Sequence, residues 1–293
     1  MNRISKCVIV GRGALGMLYY AALSAREDVD VSFAAGRERV GRYKSEKISF
    51  CGRELRGVRY FTPKEGDEAV DLVLITTKWG GFKGALELIS PIVTSSTVVV
   101  PLLNGLLPYE VAVQRYGGVS RVLRAFYIGT TASRQGSSVS QSGDYTTVME
   151  GCVEVESLFE RCGITYRVEE DMVRAQWQKY VINIGLNQCS TMNGGVSYGE
   201  IKRSERLRGI VAQLMREAES VAVAEGVSGA QGMANYGIGF LDSLTDSDYS
   251  SMAQDLLSGR AMEVEIFAGD LVHRAKSLGV DTPCNLEFLE SLQ

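Results

Sequence analysis

Lys6-Cys7-Val8-Ile9-Val10-Gly11-Arg12-Gly13-Ala14-Leu15-Gly16, followed by the helix-forming run 17–25, decides how the first half of this chain folds. A short β-branched strand, a G-x-G-x-x-G turn and a helix follow one another directly, the context in which such glycines serve a dinucleotide. Gly11 permits the tight turn, Gly13 lets the backbone approach a pyrophosphate, and Gly16 lets the helix pack on the strand. The free amides at the helix N-terminus then face the anion, with Ala14 and Leu15 in the loop that approaches it. A plain tight turn between strand and helix is the competing reading.

Working outward, residues 30–35 (DVSFAA) read as the second strand. An NAD site is expected to close that strand with an acid for the ribose hydroxyls, about twenty residues past the glycines. None stands there. The loop read at residues 36–42 (GRERVGR) instead offers Arg37 and further guanidinium groups, which suit a 2′-phosphate by charge and forked geometry. NADP (NADPH) is therefore the expected cofactor, against a solvated basic turn or a ribose contact from Glu38.

Residues 48–61 alternate polar and apolar around Gly52 and Gly57 and read as a hairpin or irregular insert. Residues 71–77 (DLVLITT) and 97–103 (TVVVPLL) are apolar runs of the doubly buried, parallel kind. Pro101 counts against a central position in the second, because it donates no ladder hydrogen bond. The first run ends in Lys78 and the second in Asn104. Glycine loop, Arg37, Lys78 and Asn104 thus fall at carboxyl ends of successive strands, the edge on which open α/β sheets bind ligands. Taken singly, each is equally well an edge lysine or a turn asparagine. Strand-like pieces at 126–131, 137–142, 145–150 and 164–168, around a helix near 153–161, read as the far part of the same sheet, with antiparallel pieces closing the domain. The expectation is an α/β, Rossmann-type doubly wound domain over residues 1–168 and an all-α domain over residues 169–293.

In the second half, helical periodicity marks residues 172–187, 206–225 and one long helix at 251–278, stopped by Gly279 with Pro283 beyond. Residues 229–247 have room for one shorter helix. Within QWQKYVINIGLN (176–187), Gln176, Lys179, Asn183 and Asn187 share one narrow stripe, while Trp177, Tyr180, Val181, Ile182, Ile184 and Leu186 cover most of the remaining circumference. A helix apolar nearly all round is buried, and a buried ammonium needs partners or a depressed pKa. From the residues alone, Lys179 is either a satisfied structural lysine or a working one.

Six stretches then stand in a telling order: GRGALG, TTK ending at Lys78, LLNG holding Asn104, WQKYVINIGLN, SSMAQDLLSGRAMEVE (250–265) and GVDTPCN. Through them the whole chain resembles the ketopantoate reductases (2-dehydropantoate 2-reductases), which reduce ketopantoate to pantoate with NADPH in pantothenate biosynthesis. The resemblance implies that Lys179 is the general acid at the ketone oxygen, supported by Glu263, and that Asn183, Asn187 and Ser251 hold the substrate. It further implies that Asn104 reaches substrate or nicotinamide and that Lys78 helps bind NADPH. The chemistry suits these side chains, since an ammonium beside the carbonyl both stabilises growing negative charge and supplies the proton. The chain departs from the family pattern at Ala35, where an arginine is usual, at Leu103, at Gln188-Cys189 and at Glu263-Val264-Glu265. The resemblance also leaves room for a reductase of another branched 2-oxo acid; a non-catalytic NADP(H)-binding sensor is the reading from a different class.

Composition narrows the field. A net charge of -4 with no basic run gives no support to a nucleic-acid partner and makes a small solute the more natural ligand; the resemblance implies that this solute is a small-molecule 2-oxo acid. Six cysteines without a CxxC pair argue against zinc and against a disulfide framework. The single histidine, His273, reads as a surface helix residue, leaving acid–base work to Lys, Glu, Asp or Tyr. No apolar run approaches membrane-spanning length and no leader stands before the first strand, so a cytoplasmic protein is expected. A homodimer through the helical half is a further expectation.

Overall fold

The computed structural model describes residues 3–129 and 131–292. Met1, Asn2, Thr130 and Gln293, and the side chains of residues 131–135 and 142, lie outside the described set; the strand expected at 126–131 crosses Thr130, and the expected domain limits 1 and 293 fall there too. The chain divides into two compact units, Met1–Asn104 with Pro108–Met172, and Gly105–Leu107 with Val173–Gln293. Among the described residues no helix is long and apolar enough to cross a membrane.

The first unit runs β1 (Lys6–Val10), α1 (Ala14–Leu23), β2 (Asp30–Ala34), α2 (Arg37–Ser45), β3 (Ile48–Phe50), β4 (Arg53–Leu55), β5 (Tyr60–Phe61), β6 (Leu72–Ile75), α3 (Phe82–Ile89) and β7 (Val98–Pro101). It continues with α4 (Leu107–Tyr116), β8 (Arg121–Val122), β9 (Ala125–Ile128), β10 (Thr131–Gln135), β11 (Ser138–Ser142), β12 (Thr146–Met149), α5 (Val153–Cys162) and β13 (Tyr166–Val168). Six strands form a parallel sheet in the order β5-β2-β1-β6-β7-β8. Alternate side chains of one strand enter two different cores: Cys7, Ile9, Leu72 and Leu74 pack with Met17, Leu18 and Leu23 of α1, whereas Val8, Val10, Val73 and Ile75 pack with Phe82, Leu86 and Ile89 of α3. That two-sided burial is why these strands read as unbroken apolar runs. Pro101 is tolerated because β8 is so short: it pairs only with Val98 and Val99, so the missing amide breaks no rung on that side.

Three expectations are corrected here. The pieces after residue 122 do not extend the main sheet. β9, β12 and β13 form a three-stranded sheet, and β10 and β11 join the hairpin β3–β4 in another. They cover the outer side of α1, where Tyr19 Oη and Thr147 Oγ1 are 2.6 Å apart in the core and Tyr145 and Phe159 meet the Tyr19 ring. The residues read as a loop at 36–42 begin helix α2; Gly36 is its extended N-cap and Arg37 its first residue, and a run of good helix formers needs only the buried Val40 as its apolar anchor.

The second unit contains α6 (Met172–Met192), α7 (Tyr198–Arg203), α8 (Glu205–Ala224), α9 (Met233–Ser243), α10 (Ser251–Leu257), α11 (Asp270–Leu278) and α12 (Pro283–Glu290). Helix α8 follows its pattern closely, burying Leu207, Val211, Leu214, Ala218 and Val221, with Ser204 capping its first turn. The third correction concerns the single helix expected at 251–278. Helix α10 stops at Leu257, Gly259 takes φ +62°, residues 260–264 are irregular, and a five-residue π-helical turn, Glu265–Gly269, leads into α11. Tyr180 of α6 holds this turn: its Oη donates to the Phe267 carbonyl at 2.8 Å and its ring stacks on Phe267. Gly105 presses against the same turn, since a Cβ there would stand 2.8 Å from the Ile266 carbonyl oxygen.

A buried glutamate closes this unit. Glu217 accepts from the Cys284 and Asn285 amides at 3.0 Å each and from Asn285 Nδ2 at 2.7 Å, tying α8 to the start of α12. Replacing it leaves three donors without that acceptor. Glu217→Ala is expected to cost about 2–4 kcal/mol, read as a lower urea midpoint; an unchanged midpoint would show that this network does not hold α12.

Candidate active site

The glycine loop is built by close approach of backbone to backbone. Gly11 has φ +111°, and a Cβ on it would lie 2.7–2.8 Å from the Thr76 carbonyl and the Thr77 nitrogen. A Cβ on Gly16 would lie 1.9 Å from the Gly11 oxygen, so α1 leaves the loop at a distance only glycine allows. The Thr76 hydroxyl completes the arrangement by donating toward the carbonyl oxygens of Gly11 and Val10 at 2.9 and 3.2 Å. Gly13, the N-cap of α1, is different: the nearest atom to its missing Cβ is 4.0 Å away, and it brings no side chain to cap the helix. Gly13, Ala14 and Leu15 therefore present an uncrowded turn of amides, the form that fits a pyrophosphate. On these observations the residues present fit a dinucleotide.

The other candidates of this unit lie at carboxyl ends of strands. Arg37 follows β2 by three residues and is exposed. Lys78 is exposed in extended backbone (φ -76°, ψ 162°), immediately after Thr76 and Thr77. Asn104 is partly buried at the end of the segment after β7. Glycine loop and Thr76–Lys78 segment are brought together directly, through the contacts of Gly11 and Gly16.

In the second unit, α6 places Lys179, Asn183 and Asn187 one turn apart on one face. Trp177, Tyr180, Val181, Ile184 and Leu186 are buried around them, as the periodicity predicts. Lys179 is partly exposed as a residue, yet burial of its ammonium lowers its pKa to about 7. Desolvation alone drives the shift. Gln176, on the same stripe, is structural: its Nε2 donates to the Gly105 carbonyl at 2.9 Å. Asn187 is buried and its Oδ1 accepts from the Met252 amide at 3.2 Å and from Ser251 Oγ at 3.4 Å, so the stripe continues onto the start of α10. Glu263 comes from the irregular stretch after α10 and is partly buried. Arg260, three residues before it, pairs with Asp255 at 2.8 Å.

Two residues outside the candidate set matter here. Thr76 orients the glycine loop, and the Thr-Thr-Lys run ending a parallel strand was the signal that could have singled it out. Arg12, between Gly11 and Gly13, is buried. Its guanidinium lies over the Tyr43 ring and pairs with Glu46. No group of histidine, cysteine and acidic side chains suited to a metal ion occurs among the described residues.

Known proteins resemble this chain over nearly its whole length. Residues 7–153 match the family description "Ketopantoate reductase PanE/ApbA" and residues 171–293 match "Ketopantoate reductase PanE/ApbA C terminal". The 2-dehydropantoate 2-reductase of Aquifex aeolicus is 27% identical, covering 99% of this chain and 96% of its own. A D-mandelate dehydrogenase solved with NADH and anilino(oxo)acetate superposes with a TM-score of 0.84 at 21% identity, covering 97% and 96% of the two chains. A dimeric ketopantoate reductase from Staphylococcus aureus does so with a TM-score of 0.81 at 17% identity, covering 98% and 97%. Glycine loop, sheet, helical half and both family matches converge, and the chain belongs to the ketopantoate reductase family.

Proposed function

We propose that this protein reduces the ketone of 2-dehydropantoate to pantoate with NADPH, and that Lys179 supplies the proton. The observation that carries the reading is an ammonium with a pKa near 7 on a helix stripe otherwise made of neutral amides. Enzymes tune lysines to this range when the group must donate a proton near neutral pH.

In this reading residues 1–168 hold the cofactor and residues 169–293 carry the substrate and the acid. Backbone of Gly11, Gly13, Ala14, Leu15 and Gly16 would take the pyrophosphate, Arg37 the 2′-phosphate, and Lys78 and Asn104 the remaining cofactor contacts. NADPH, when bound, supplies the hydride that arrives at the carbonyl carbon. The chain's own work is then electrostatic and protonic. Lys179 Nζ stabilises the charge that develops on the ketone oxygen and delivers its proton there. Asn183, Asn187 and Ser251 orient the hydroxylated acid, with Asn104 as a further contact, and Glu263 supports the lysine or the substrate hydroxyl. The 2.8 Å bond of Tyr180 to Phe267 fixes the π turn that follows Glu263. The reading places the enzyme in the cytoplasm as a homodimer, the state named for the Staphylococcus aureus relative.

A second reading, reduction of a different 2-oxo acid, is favoured by one specific observation: the D-mandelate dehydrogenase of the same fold was solved with NADH and a non-pantoate oxo acid. Ala35, where the family commonly has an arginine, points the same way for the cofactor. A pure nucleotide sensor has no use for a desolvated lysine and is disfavoured.

Lys179→Ala is expected to lower turnover by about two to four orders of magnitude with little change in NADPH affinity; a variant of undiminished turnover would rule the mechanism out. The pH dependence has a definite sign. Reduction needs the protonated amine, so the rate in the native enzyme falls as pH rises through about 7, while the reverse oxidation, which needs the neutral amine, rises. A reductive rate flat from pH 6 to pH 9, a window of about one to two units on either side, would contradict the assignment.

A further inference from the structure

Arg12 is the middle residue of Gly11-Arg12-Gly13, yet its side chain is 1% exposed. Three residues on two elements, α2 and β5, use its guanidinium. Nη2 donates to Glu46, the C-cap of α2. Nη1 donates to Tyr60 Oη on β5 at 3.2 Å. The central carbon lies 3.7 Å from the centroid of Tyr43, in the last turn of α2. Around this centre, Arg42 approaches Glu46 to 3.7 Å, and Tyr60 packs against Tyr43 and against Phe33 of β2, with centroids 5.6 and 5.8 Å apart. An arginine is costly to remove from water unless its donors are used. Here the planar fork is used for hydrogen bonds along its edge and for stacking on its face, two tasks a lysine cannot combine.

We infer that Arg12 is a positioning residue for cofactor selection: by clamping the far end of α2 to the glycine loop, it sets where the near end, Gly36-Arg37, stands beside that loop. The inference rests on the reading of this unit as an NADP(H) site. NADPH and NADH share their pyrophosphate and differ in the 2′-phosphate, which a Rossmann-type domain receives at the carboxyl end of its second strand. Contacts to the shared part come from glycine-loop backbone, whose shape is set by Gly11, Gly16 and Thr76 and not by the Arg12 side chain. Loosening the clamp therefore moves the helix that reads the phosphate and leaves the common contacts in place. Glu46 acts in the same way from the other end, as the anion that keeps a buried cation neutral overall.

The test uses the whole protein without any oxo acid and reads Kd for NADPH and NADH by nicotinamide fluorescence. Arg12→Lys and Glu46→Gln are compared with the native chain, each also in an Arg37→Ala background. Both single substitutions are expected to reduce the preference for NADPH over NADH by about tenfold, through weaker NADPH binding, and to have no such effect once Arg37 is absent. Should Arg12→Lys fold poorly, Glu46→Gln decides, since that side chain is 32% exposed. An unchanged preference in a folded variant, or an equal loss in the Arg37→Ala background, overturns the inference. A native protein that binds NADPH and NADH equally also overturns it, whereas one that binds neither overturns the underlying reading of the unit as a cofactor site.

Discussion

Helix α6 has to bury most of its circumference, and most of the polar side chains on it are therefore tied to partners that are themselves fixed. That constraint organises the second unit. Gln176 reaches the Gly105 carbonyl, Gln178 the Met233 carbonyl, Tyr180 the Phe267 carbonyl, Asn187 the Met252 amide, and Gln188 the Asn285 side chain. One helix thus pins the segment Gly105–Leu107, which belongs to this unit, and the starts of α9, α10 and α12 together with the π turn. Lys179 stands among these pinned positions, and burial of its ammonium lowers its pKa to about 7. Fold and proposed chemistry draw on one physical cause.

The first unit solves a different problem, which is to bring backbone close enough for phosphates. The contacts of Gly11 and Gly16 with Thr76 show how little room is left for side chains in the turn, and the open space at Gly13 shows where room is kept. Arg12 uses the one side chain available in this turn to reach inward, which converts a loop residue into a tie between helix α2 and the sheet edge.

Much of this was legible in the sequence, for reasons that differ by element. Strands β1, β6 and β7 announced themselves because burial on both faces leaves no polar alternation, and α8 because one face alone is buried. Lys179 was conspicuous as a charge on an apolar helix. Other features depend on tertiary partners that periodicity does not encode. Ile266, Phe267 and Leu271 continue a helical pattern across Gly259, so the break at residues 258–264 and the π turn that Tyr180 anchors were hidden. The small sheets were misassigned because the alternation of β9 and β12 says nothing about lying over Tyr19 instead of extending the main sheet. The burial of Arg12 was not legible because Tyr43, Glu46 and Tyr60, which bury it, lie in later elements.

The proposed chemistry gives Lys179 the proton and the glycine loop the cofactor. The most direct measurement is NADPH oxidation by the purified native protein across a panel of 2-oxo acids, with the product identified. 2-Dehydropantoate is expected to be consumed fastest, with pantoate appearing in equal amount with NADP. Tight NADPH binding with no turnover of any oxo acid would contradict this expectation.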